Sequence, residues 1–166
     1  MRGLARDAAL VPLSRDHHFA LRHALWMRRA AADQGADPHD RARAVARDFL
    51  GFYRDELVGH IADEEDVVFP VGEGIDAEGT ARLRAEHREI ADLAARLAVA
   101  AEGGDASGGA DLRTTLAELA SLLDDHVRYE ERVYFMNVQE RLSPEALRAL
   151  GEALERHRSE RPLRCS

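Results

Sequence analysis

Two segments carry a histidine and a glutamate four residues apart at matching places in a long apolar repeat: His60 with Glu64, and His126 with Glu130. That spacing sets the pair one turn apart on one helix face. Each pair continues a face that is otherwise apolar. The second segment reads Val45, Phe49, Phe52, Glu56, His60, Glu64 and Val67. The later one reads Leu112, Leu116, Leu119, Leu123, His126, Glu130, Val133 and Asn137, in alternating steps of four and three. Two helices that turn an imidazole and a carboxylate into one core create a polar layer that an apolar interior tolerates poorly unless something compensates it. The pattern therefore points to a metal site walled by helices.

The remaining segments supply those walls. After a lead-in over residues 1–12, Ser14 is expected to cap a helix over about residues 15–33 with His18, Leu21 and Leu25 inward. Asp37 and Pro38 fit the start of a helix over about 38–69. A third helix, about 77–102, places Leu83, His87, Ile90, Leu93 or Ala94, and Leu97 inward. The glycine-rich run from Gly103 to Gly109 reads as a flexible connector to the fourth helix, about 111–141. Ser143 and Pro144 then start a short helix, about 144–157, with Leu147, Leu150 and Leu154 on its docking face. No strand-like alternation competes. The expected class is all-α: an up-down four-helix bundle with a short additional C-terminal helix, in a single domain over residues 1–166.

Composition narrows the function. With 166 residues, 45% hydrophobic and 33% charged, the chain can bury a real core and is neither a disordered nor a membrane type. A net charge of −8 argues against nucleic acid, whose phosphates require a basic face. No run spans a bilayer and Met1 to Asp7 leads into no signal core, so a cytoplasmic protein is expected. The one cysteine, Cys165, rules out an intramolecular disulfide and a thiolate cluster, which leaves nitrogen and oxygen as metal donors. All basic residues are arginine; that bias suggests a GC-rich bacterial genome and carries no chemical weight.

Each main helix offers one inward histidine: His18, with His17 allowed by the helix phase, then His60, His87 and His126. A single such histidine is ordinarily a hydrogen-bonded core or rim residue. Four of them with Glu64 and Glu130 are harder to explain without a metal, because uncompensated buried charge costs several kcal/mol. The set suits a dinuclear centre with two histidines per metal and both glutamates bridging. Such donors favour iron or manganese and leave zinc possible. Glu65 and Glu131 fall one residue off the preferred face and are expected to be solvated or to support the ligands from outside. His23, His39 and His157 read as surface residues. Tyr53, Tyr129 and Tyr134 could reach the site as hydrogen-bond donors, although plain packing is the simpler reading.

The motifs Asp16-His17-His18, His60-Ile61-Ala62-Asp63-Glu64-Glu65, Glu86-His87-Arg88-Glu89-Ile90 and His126-Val127-Arg128-Tyr129-Glu130-Glu131 make the chain resemble the hemerythrin-like, HHE cation-binding family over nearly its whole length. The resemblance implies a four-helix bundle around two non-haem iron ions, with manganese or zinc less favoured. It departs from the oxygen-carrying members in two places. Their third helix has a His pair four apart, whereas Ala91 follows His87 at that distance; their fourth pairs its His with an Asp five residues on, where this chain has Glu130 at four. The pattern is closer to the four-His, two-Glu relatives, which include iron-sulfur-repair and iron-sensing branches.

The function expected from these residues is a di-iron protein that binds or senses a small ligand: dioxygen, nitric oxide or peroxide. His18, His60, His87 and His126 would be terminal ligands, and Glu64 and Glu130 bridges. The alternatives are a peroxidase-like or nitric-oxide-reducing enzyme, with Tyr53 as proton donor, and an iron-sensing or iron-delivery module.

Overall fold

A computed structural model describes residues 5–103 and 108–161. All the regular structure in these residues is helical. Helix α1 is Val11–Ala32, α2 covers residues 38–72, α3 is Ala77–Glu102, α4 covers residues 108–141 and α5 is Pro144–Glu160. Around the bundle α1 packs on α2 and α4, and α3 packs on the same two. The histidine-bearing faces of all four therefore meet along one axis. Met1 to Leu4, the connector residues Gly104 to Ser107, and Cys165 lie outside the described residues.

The helix starts show which local signals act. Ser143 caps α5 by accepting from the Ala146 N–H at 3.2 Å, and Asp76 caps α3 by accepting from the Gly79 N–H at 2.8 Å. Asp37 makes no capping bond at α2. At α1 the expectation is corrected: the helix begins at Val11, inside the expected lead-in, with Pro12 in its first turn and Ser14 already within it.

Helix α1 is also rotated from its expected phase. Its buried face is Leu13, His17, Ala20, His23, Ala24, Met27 and Ala30, while Leu25 is 41% exposed. Three of these seven inner positions are alanine, whose small side chain fits a closely packed face. Three further shifts have a common cause. Helices α2 and α4 are continuous but wind through π-turns at Tyr53–Leu57, Glu64–Val68 and Glu130–Tyr134, each closed by an N–H bonded to the carbonyl five residues earlier. A π-turn inserts one residue into the winding, so the face beyond it advances by one position. Leu57 is accordingly buried where Glu56 was expected, Val68 is fully enclosed beyond Val67, and Tyr134 takes the place of Val133.

The core is divided into two apolar layers. One is built from Met27, Phe49, Ile90, Leu97, Leu116 and Leu123 among others. The other gathers Leu10, Leu13, Phe69, Leu83, Phe135, and Leu150 and Leu154 of α5. Burying each such side chain contributes about 1.5–3 kcal/mol. Between them sits the polar layer.

Candidate metal centre

Each histidine marks the point on its helix where one apolar layer gives way to the other: His17 lies between Leu13 and Ala20, and His87 between Leu83 and Ile90. Six side chains, His17, His60, Glu64, His87, His126 and Glu130, meet there with at most 5% exposure. His17, not His18, is the contribution of α1; His18 is exposed, and the expectation that it faces inward is corrected by the rotated phase of that helix.

Two groups of donor atoms form, each with its atoms within 4.8 Å of one another: His17, His60, Glu64 and Glu130, and Glu64, His87, His126 and Glu130. The carboxylates are common to both. His60 Nε2 lies 3.1 Å from Glu64 and His17 Nε2 lies 3.1 Å from Glu130. On the other side His87 Nε2 is 3.3 Å from Glu64 and His126 Nε2 is 3.4 Å from Glu130. Both oxygens of Glu64 and of Glu130, and His87 Nε2, are buried without a hydrogen-bond partner. Orphaned acceptors at full burial are costly. The chemistry of this donor set fits metal binding.

The imidazoles are aimed from behind. His17 Nδ1 donates to Glu131 at 2.7 Å, His60 Nδ1 to Asp16 at 3.2 Å, His87 Nδ1 to Glu65 at 2.9 Å, and His126 Nδ1 to Glu86 at 2.9 Å. Each helix thus lends a carboxylate to the imidazole of the next one round the bundle. A ring that donates through Nδ1 keeps its Nε2 lone pair turned inward, the arrangement that orients histidine ligands at metal sites. Each supporting carboxylate is itself held by an arginine: Glu131 by Arg6 at 2.7 Å, Asp16 by Arg158 at 2.7 Å, Glu65 by Arg84 at 3.2 Å and Glu86 by Arg82 at 2.7 Å. Sequence reading left Glu65 and Glu131 as solvated or supporting and passed over Asp16 and Glu86. The available signal was adjacency, since every one of the four lies next to a ligand-type residue in the chain.

The same contacts set the charge states of the metal-free centre. Burial works against the His60 imidazolium, yet Glu64 and Asp16 outweigh it and raise its pKa to about 9. Burial likewise opposes charge on His17 and His87, and the surrounding carboxylates raise both. Burial would raise Glu64, but His60, His17 and His87 hold it well below the usual range. Despite its burial, Glu131 is lowered to about 2 by His17 and Arg6 among others. Protons and metal therefore compete for one set of lone pairs.

Other sequence expectations resolve differently. His23 is buried, stacked on Phe52 with ring centroids 4.2 Å apart, so it is no surface residue. His157 bridges Asp63 and Asp66 at 2.9 and 3.2 Å. Tyr134 shares a 2.7 Å hydrogen bond with Thr80, and Gly72 must lack a side chain because a Cβ there would collide with the Tyr134 hydroxyl. Tyr129 lies under the Arg82 guanidinium, and Tyr53 packs beside Phe49 with Asp92 as a charged neighbour.

Fold and donor set together define a helical-bundle protein with a buried histidine-glutamate centre suited to metal cations. Residues 10–138 match the family model for the hemerythrin HHE cation-binding domain, and the chain belongs to that family. No significant match emerges among curated proteins or solved structures. No helix of the described residues is long and apolar enough to cross a membrane.

Proposed function

We propose that this chain is a non-haem di-iron protein in which His17 and His60 hold one iron, His87 and His126 hold the other, and Glu64 and Glu130 serve both. The observation that carries the reading is the sharing of two orphaned carboxylates between two histidine pairs. Imidazole and carboxylate donors suit iron. Carboxylates behind all four rings fix which nitrogen faces inward, and apolar layers on both sides keep bulk water out. Enclosure of the six side chains limits what can reach the pair to a small ligand, and we assign dioxygen, nitric oxide or peroxide to that role. Bound iron would supply the redox and ligand-binding chemistry that these side chains lack. Tyr134 feels the charges of Glu130 and Glu64 while its hydrogen bond goes to Thr80, Tyr129 lies under Arg82 behind His126, and Tyr53 neighbours Phe49 and Asp92.

Iron content per chain, with an optical spectrum recorded before and after exposure to each of the three ligands, tests the proposal. The expected result is two irons per chain and a spectrum that responds to at least one ligand. Failure to retain iron after reconstitution, or a spectrum indifferent to all three, would sink it.

A further inference from the structure

The segment that matches the family model ends at residue 138, ahead of α5, yet α5 reaches the centre. Leu150 and Leu154 seat it on the apolar layer beside Val68 and Phe69 of α2. Its polar anchor is Asp63, fully buried one residue before Glu64, which receives His157 at 2.9 Å, Arg158 Nε at 2.7 Å and Arg161 at 2.8 Å. Gly59 makes room for this, since a Cβ there would collide with the Arg161 guanidinium. A buried carboxylate needs such compensation, so these contacts fix where α5 sits. One of these three side chains goes further. Arg158 Nη2 donates to Asp16 at 2.7 Å, and the same Asp16 oxygen accepts from His60 Nδ1.

We propose that Arg158 is a positioning residue for one of the two metal positions: through Asp16 it sets the His60 imidazole, so that α5 governs retention of the metal held by His17 and His60 and not of the one held by His87 and His126. The inference rests on the two-iron reading above. The asymmetry comes from the origin of the arginines. Arg82 and Arg84, behind His126 and His87, both belong to α3 within the bundle, whereas Arg158 comes from α5 and bonds to the carboxylate behind His60. Arg158→Ala leaves Asp63 its bonds to His157 and Arg161, so α5 keeps its seat while Asp16 loses its cation.

The test loads the full chain with iron, adds excess chelator and follows release. Wild type should hold two irons. Arg158→Ala should release one iron per chain roughly tenfold faster or more and the other at the wild-type rate, the size expected when the partner behind a histidine ligand is disturbed. Arg158→Lys should restore part of the difference, and adding Asp16→Asn to Arg158→Ala should accelerate release little further because both act on one imidazole. Arg161→Ala, which removes a bond to Asp63 and none to Asp16, should leave the two irons matched. Equal acceleration of both irons, unchanged release, or the same split in Arg161→Ala would overturn the role of Arg158. A wild-type protein that holds fewer than two irons would instead overturn the di-iron reading itself, and this inference with it.

Discussion

The His17–His60 half of the centre and the His87–His126 half repeat one construction, imidazole to carboxylate to arginine, with different sources for the last part. In the second half the arginines sit on α3, Arg84 one turn before His87 and Arg82 one turn before Glu86, the carboxylate behind His126. In the first they arrive from the residues before α1 and from α5, as Arg6 and Arg158. Residues 10–138 thus contain the carboxylates and arginines behind His87 and His126, while the arginines behind His17 and His60 come from chain on either side of that segment. Equivalent ligands need not be equivalently held.

The comparison can be broken most severely at the shared carboxylates. Glu64→Ala should affect both halves at once and lower the metal count by at least one per chain, read by elemental analysis; two metals retained would mean that Glu64 serves neither. Next in size, His17→Ala should cost one metal per chain while His18→Ala costs none, which separates the buried residue from its exposed neighbour.

Supporting carboxylates should give smaller and matched effects. Glu131→Gln and Glu65→Gln are each expected to weaken one metal by about 10–100-fold in a competition titration. A loss confined to one substitution would show that the halves differ more deeply than in their arginines.

The gentlest probe is pH. His60 has a folded pKa of about 9, above the ordinary imidazole value of 6.5, so in the metal-free protein its charge contributes stability that is complete below pH 6.5 and is lost as pH rises through 9. His17 and His87 are raised in the same direction. The apo melting temperature should therefore fall across this window while metal affinity increases, as protons leave the ligands. A metal-free protein that gains stability over the same range would contradict the charge states assigned to both halves.

Much of this was legible in one dimension. Four long helical repeats and two His-to-Glu pairs follow directly from spacing, and five of the six clustered residues lie where the apolar seam puts them. His18 was preferred over the allowed His17 because the inner face of α1 is written in Ala20, Ala24 and Ala30, which carry little hydropathy contrast, while Phe19, Leu25 and Trp26 stand partly exposed. Val133 looked inward because a regular winding was assumed through a π-turn, and it is 40% exposed. Asp16 and Glu86 act on histidines of other helices, 44 and 40 residues away, and no local period encodes such a partnership.

The π-turns that follow Glu64 and Glu130 have a consequence for how this chain could vary. An α-helix turns by about 100° per residue, so replacing the π-turn at Glu130–Tyr134 by ordinary winding, with the sequence unchanged, would swing everything downstream by that angle. Phe135 and Val138 would leave the layer they share with α5, although every residue of the polar layer would survive in the sequence. The extra residue at each π-turn thus acts as a register key: it lets one continuous rod present its ligands and its downstream apolar face to the same axis, and the same sequence wound as a regular α-helix could satisfy only one of the two.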